Sequence, residues 1–179
     1  MRSVFAALAS ILILPIAAAQ SLTTEQASNF IESLDEVNTY AESLDPAVRT
    51  GALDEEFMPE RGQPFAPYSR AADYLRGEHD AVYDDMDNIV ADHGFSSLEL
   101  WAETGDRVAV AYMALEMEET DMQQITPEML DQVPPQMREQ MERALAVFET
   151  IRDAPPEDVE VLRPLASRLG EYMGGEPPQ

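Results

Sequence analysis

The chain has 179 residues, with 35 acidic against 11 basic side chains, and a formal net charge of −24 at pH 7. This charge excludes a nucleic-acid partner, because affinity for phosphates depends on neutralising cations. Cysteine is absent, which excludes disulfides and thiolate chemistry. Every basic residue is arginine. The acidity indicates either a surface that stays soluble in a saline habitat or one that attracts cations and basic partners.

The N-terminal 19 residues have the features of a secretory signal peptide. Arg2 supplies the positive charge, residues 4–14 are apolar, and alanines at 17–19 precede the expected cleavage point. The apolar run is shorter than the roughly 20 residues that span a bilayer. We therefore expect a periplasmic or secreted protein with no membrane span after cleavage. Residues 20–179 then form a single domain.

A first helix is predicted to begin within the segment LTTEQ, residues 22–26. Thr23 can cap this helix, Gln26 can reach back to the cap, and Leu22 can pack against Ala27. Apolar residues then recur at intervals of three and four, as expected for one helical face: Phe30, Ile31, Leu34, Val37, Ala41 and Leu44.

Prolines and glycines punctuate residues 45–67, which predicts a long loop with at most a short turn near 53–57. Helical patterns resume over residues 67–76 and 78–93, and Gly94 is expected to end the second.

Proline also marks the helical segments of the C-terminal part. Thr126-Pro127, Pro134-Pro135 and Pro155-Pro156 each mark the start of one. Pro164 should kink or split the last helix by removing a backbone donor, and residues 174–179 are expected to form a frayed tail. The chain is therefore predicted to be an all-α, single-domain bundle of five or six helices.

Residues 94–119 hold the single tryptophan, Trp101. Ser96 can cap a helix there and Glu99 can complete a capping box. Gly105 destabilises a helix by about 1 kcal/mol relative to alanine, which indicates a close approach by a neighbouring group. The apolar positions lie on one face and predict a buried central helix: Leu98, Trp101, Gly105, Val108, Tyr112 and Leu115.

Asp106 and Arg107 in the same helix have two interpretations. A partly buried Arg107 would act as a structural clamp that holds carbonyls or a carboxylate, whereas an exposed one could recognise a ligand. The structural interpretation is preferred, so Trp101, Gly105 and Arg107 are assigned to the core rather than to a site.

The segment from His79 to His93 is a candidate divalent-metal site. Asp80, Asp84 and Asp87 share one helical face between the two histidines, and carboxylates and imidazoles are common metal ligands. The alternative is a solvated acidic face, with His93 stabilising the C-terminal end of the helix. The spacing matches no established ligand pattern, and the preferred interpretation is the solvated face.

Methionines pair at helical spacing in two places, Met113 with Met117 and Met137 with Met141. Thioethers bind Cu(I), and methionine surfaces adapt to varied partners, but methionine at this spacing is most often core. No nucleophile elbow, phosphate loop or dinucleotide fingerprint is present in the sequence, so we expect neither catalysis nor a cofactor.

Leu22 to Gln26, LTTEQ, resembles the LTxxQ motif of the Spy/CpxP family of periplasmic chaperones and stress regulators. A second copy would fall at residues 125–129, where ITPEM has methionine in place of glutamine. Residues 94–117 and 156–169 are similar to uncharacterised exported helical proteins of proteobacteria.

The first resemblance implies a small, exported, all-helical chaperone, and the second implies no activity. We therefore expect a non-catalytic binding or accessory protein with protein or peptide partners. A holdase and a metal-binding protein are the alternatives.

Overall fold

The computed structural model describes residues 21–52, 63–119 and 134–173, and within these ranges the chain contains helices and no strand. The predicted all-α class is confirmed. The predicted signal peptide, the predicted turns near residues 53–57 and 126–127, the segment ITPEM and the predicted frayed tail all lie outside the described residues. The helices are α1 (Thr24–Ser43), α2 (Pro46–Ala52), α3 (Pro67–Glu78), α4 (Asp80–Asp92), α5 (Leu98–Glu119), α6 (Pro135–Arg152), α7 (Pro156–Leu162), a 3-10 turn (Arg163–Leu165) and α8 (Ala166–Met173).

The segment LTTEQ forms the N-terminal cap of α1. The Thr23 Oγ1 atom accepts the Gln26 amide at 3.1 Å, and the Gln26 Oε1 atom accepts the Thr23 amide at 3.0 Å. Leu22 and Ala27 are both buried beside this capping box. The motif therefore satisfies amides that the first turn of a helix leaves without partners.

Helix α2 lies inside the segment that was predicted to be mostly loop. Pro46 is its first residue, and the Asp45 side chain accepts the Ala47 amide at 2.8 Å. A carboxylate cap followed by proline is a helix start, since proline has no amide to satisfy and its φ angle already suits a helix. The loop prediction was wrong for these residues because this start signal resembles a turn.

Helix α5 is the central element, as its continuous apolar pattern predicts, and it packs against α1, α3, α4, α6 and α7. Buried residues occur on most of its circumference, which a helix surrounded by neighbours requires. They are Leu98, Trp101, Ala102, Thr104, Gly105, Asp106, Val108, Ala109, Val110, Ala111 and Leu115.

The helix ends follow local rules with one correction. Gly94 has a φ of +86°, and the Phe95 amide donates to the Val90 carbonyl at 3.2 Å, which closes α4. The cap of α5 is Ser97 rather than Ser96, because the Ser97 Oγ atom accepts the Leu100 amide at 3.3 Å. Two consecutive serines offer the same local signal, and the position of Leu98 in the core selects the second.

Acidic side chains also cap elements to which they do not belong. Asp87 of α4 accepts the Leu98 amide at 2.6 Å, and Asp158 of α7 accepts the Leu22 amide at 3.0 Å. These partners are 11 and 136 residues apart in sequence. A part of the large acidic content therefore serves the fold, since carboxylates satisfy helix N-termini well.

Candidate functional site

An apolar cavity of about 360 Å³ lies among the first five helices. Its wall combines buried core residues with small side chains, and polar groups stand at its rim. The lining residues are Val37, Asn38, Ala41, Glu42 and Leu44 of the α1 segment, Val48 and Arg49 of α2, Tyr68, Ala71, Ala72 and Leu75 of α3, Met86 of α4, and Leu98 and Trp101 of α5.

Trp101 forms part of the inner wall and is only 3% exposed. Its indole Nε1 donates to the Ser33 Oγ atom at 2.7 Å. The indole ring lies 5.0 Å from Phe30 and 5.5 Å from Tyr68 between ring centroids. Contacts on several sides fix the indole, so the deep part of the cavity is preformed rather than created by a mobile side chain.

The approach of Phe30 and Tyr68 to α5 depends on Gly105. A Cβ atom at this position would lie 2.5 Å from the Phe30 Cε2 atom and 3.0 Å from the Tyr68 Cδ2 atom. Glycine therefore permits both rings to reach the helix backbone, and these rings in turn support the indole.

The rim of the cavity carries the exposed residues Asn38, Glu42 and Arg49. Within the described parts of the chain, no carboxylate lies within ion-pair distance of the Arg49 guanidinium. Apolar walls below a few polar rim groups are typical of small-molecule sites, where the rim orients a ligand that the walls desolvate.

Helix α2 packs against α3. Gly51 lies so close to the Tyr74 ring that a side chain there would overlap the phenol oxygen, and that oxygen lies 3.1 Å from His79 Nε2. This contact holds α2 against α3. Helix α2 contributes Val48 and Arg49 to the lining of the cavity.

Arg107 lies away from this cavity and forms an ion pair with Asp158. Its Nε atom donates to Asp158 Oδ2 at 2.8 Å, and its terminal nitrogen donates to Oδ1 at 2.6 Å. The Asp158 side chain is 1% exposed, while that of Arg107 is 33% exposed. Arg107 therefore holds a buried carboxylate through two charge-assisted hydrogen bonds.

Asp106 caps α3 from the neighbouring helix. It accepts the Tyr68 amide at 2.8 Å, the Ser69 amide at 3.2 Å and the Ser69 hydroxyl at 2.5 Å. Burial raises the pKa of Asp106 above its ordinary value, and these hydrogen bonds oppose the rise. Ala66, which precedes α3, has no side-chain cap of its own, so Asp106 takes over that role.

The residues of the predicted metal site do not converge. His79 Nε2 faces Tyr74, His93 Nε2 lies 3.2 Å from Glu36 Oε2, and Asp87 binds the α5 amide described above. Asp80 and Asp84 are exposed. Among the residues that the structure describes, no group of three or more histidine or acidic side chains could hold a metal ion.

The paired methionines fall into two environments. Met113, Met117 and Met141 are half-buried, whereas Met137 is 52% exposed. Met117 borders a second, more open groove of about 330 Å³ between α5, α6 and α7, together with Ile151 and Val159.

The sequence did not point to the apolar cavity or to Arg49. Alanines at 41, 71 and 72 are a weak signal, since small residues on facing helices leave space that larger ones would fill. In the described part of the chain, no helix is both long and apolar enough to cross a membrane. Comparison with protein-family models, curated proteins and solved structures gave no match.

Proposed function

We propose that this protein is a non-catalytic binding protein that holds the apolar part of a small molecule in the cavity between α1, α2 and α3. The observation that carries the proposal is the preformed apolar hollow of about 360 Å³ with polar groups at its rim. Its volume falls within the roughly 300–1,000 Å³ that small-molecule sites occupy.

Packing physics favours binding over a purely structural role for this region. Protein interiors are close-packed and contain few voids larger than a water molecule. An open hollow bounded by core residues such as Leu75 and Trp101 leaves apolar area in contact with water. Filling it with an apolar ligand removes that area from water, which stabilises the complex by about 25 cal/mol per Å².

The chemistry of the walls also favours binding over catalysis. The polar residues that line the cavity stand mainly at its rim, and the indole Nε1 already has a partner in Ser33. We further propose, from the N-terminal signal features, that the protein acts in the periplasm or outside the cell.

Trp101 makes the proposal directly testable, because it is the single tryptophan in the chain and lines the cavity. Titration with 1-decanol should change the fluorescence of Trp101 in a saturable manner. Calorimetry should give a stoichiometry of one ligand per chain. At a hundredfold excess over Kd, ligand binding should add about 2.7 kcal/mol to the free energy of unfolding.

Ala41→Phe, which fills the cavity from α1, should weaken binding at least tenfold. The matched control is Ala91→Phe, on an exposed position of α4 outside the cavity, and it should bind normally. Equal binding by both variants, or no saturable signal from the native protein, would remove the proposal.

A second candidate is a holdase, favoured by the exposed Met137 and by the groove beside Met117. Methionine surfaces adapt to varied apolar segments. A holdase should suppress the aggregation of an unfolding client at stoichiometric ratio, and Met117→Glu should abolish this. Ala41→Phe should leave it unchanged, so the two functions are separable.

A further inference from the structure

We infer that the ligand of the apolar cavity is a linear monocarboxylate, whose carboxylate is bound by Arg49 at the rim and whose alkyl chain occupies the hollow. This inference rests on the proposed function, because it assigns the head group of the molecule that the cavity holds. Arg49, Glu42 and Asn38 are the exposed polar groups at the rim.

The first support is that, in a strongly acidic protein, no carboxylate of the described residues pairs with Arg49. Most other arginines of the described chain have carboxylate partners: Arg76, Arg107, Arg152, Arg163 and Arg168. Arg49 has none among the described residues, although the chain contains 35 acidic side chains. A guanidinium that stands at the edge of an apolar cavity can therefore accept an anion from outside the protein.

The second support is the match between guanidinium and carboxylate. The planar guanidinium donates two parallel hydrogen bonds to a carboxylate, a geometry that also fixes the direction of the attached chain. The formal net charge of −24 disfavours a ligand with several negative charges. Glu42 at the same rim repels a second anionic group, so a single charge is the best complement.

The third support is size. A hollow of about 360 Å³ lies at the lower end of the roughly 300–1,000 Å³ that small-molecule sites occupy, so it suits a linear chain of medium length. Decanoate, with its charged end near the rim, is the probe of that size. Residues deeper in the hollow, including Leu75, Met86 and Leu98, are apolar and suit the methyl end.

The experiment compares decanoate, 1-decanol and decylammonium at pH 8, with Trp101 fluorescence and calorimetry as the two readouts. We expect Arg49→Gln to weaken decanoate binding about fivefold and to leave 1-decanol binding within twofold of the native value. Arg138→Gln is the matched control, because it removes the same charge from an exposed position of α6 that lines neither the cavity nor the groove beside Met117. Glu42→Gln should strengthen decanoate binding and weaken decylammonium binding.

Each outcome has a distinct meaning. Selective loss of decanoate binding in Arg49→Gln, with Arg138→Gln unchanged, supports the carboxylate assignment. If Arg49→Gln leaves decanoate binding unchanged, or weakens 1-decanol binding equally, the assignment is overturned while the proposed function stands. If none of the amphiphiles binds the native protein, both are overturned.

Discussion

Arg107 and Asp158 form a two-bond ion pair, with donor–acceptor distances of 2.8 and 2.6 Å, that joins α5 to α7. The same carboxylate accepts the Leu22 amide, so it also ties down the chain at the entrance to α1. Three parts of the chain therefore meet at one buried acidic group. Among the described residues, Arg107 therefore joins three parts of the chain, whereas Arg49 lines the cavity.

We expect Arg107→Met to lower the free energy of unfolding by about 3 kcal/mol, because it leaves a nearly buried carboxylate without its cation. Urea unfolding of the native and variant proteins measures this change. Arg152→Met is the control: its pair with Asp153 has side chains that are 65% and 71% exposed, so the loss should stay below about 0.5 kcal/mol. Equal effects of the two variants would contradict the clamp.

Gly105→Ala should destabilise the protein by about 1–2 kcal/mol. The added methyl group would lie 2.5 Å from the Phe30 Cε2 atom, an overlap that costs about 2–3 kcal/mol, and the better helix propensity of alanine offsets about 1 kcal/mol. The melting temperature should fall by about 2–8 °C.

Gly77→Ala provides the matched control, since an added Cβ there meets nothing within 4 Å. It should stabilise α3 by about 0.5–1 kcal/mol. A stabilising Gly105→Ala would show that the Phe30 ring is free to move away.

The ionised Glu99 side chain should stabilise the folded protein, and this contribution should be lost in acid. Hydrogen bonding from the Tyr83 hydroxyl at 2.5 Å, aided by Arg76 at 2.9 Å, lowers the pKa of Glu99 from 4.5 to about 2. Because the folded-state pKa is lower than the unfolded one, this contribution is complete above about pH 4.5 and is lost as the pH falls through about 2.

The free energy of unfolding of the native protein and of Glu99→Gln, followed from pH 6 to pH 2, isolates this contribution. The native curve should fall more steeply between about pH 4.5 and 2. Parallel curves would mean that the Tyr83 bond does not form in solution. The raised pKa of Asp106 makes its contribution to the free energy of unfolding change with pH in the opposite direction. That contribution is common to the native protein and to Glu99→Gln, so it cancels in the comparison.

Divalent metals should not stabilise the protein specifically. His79 and His93 face Tyr74 and Glu36 rather than each other. A thermal-shift scan with Zn²⁺, Cu²⁺, Ca²⁺ and Mn²⁺ should therefore give shifts below about 1 °C. A saturable shift that His79→Ala abolishes would restore the metal-site hypothesis.

Local patterns predicted most of the helices. The start of α1 could be predicted because Thr23 and Gln26 hydrogen-bond to each other within a single turn. The break after α7 was readable because Pro164 lacks an amide donor, and a 3-10 turn occupies that position. The predicted loop after α1 was wrong over residues 46–52, where Asp45 and Pro46 start a helix.

Local sequence patterns did not predict the candidate site. Trp101 has the spacing of a core residue and is buried, yet one side of it lines the cavity. Periodicity shows that a residue faces inward, but it does not show whether the opposing helix fills the space. The histidines of the segment from His79 to His93 have separate partners, because sequence proximity does not determine where side chains point.

The sequence by itself determined the helical class, the central position of α5 and most helix ends, because caps and apolar stripes act over one or two turns. The tertiary structure alone decided that Asp87, Asp106 and Asp158 cap other elements, and that a hollow remains beside Ala41, Ala71 and Arg49. These features depend on distances between helices, which are set by packing of the whole chain rather than by any local segment.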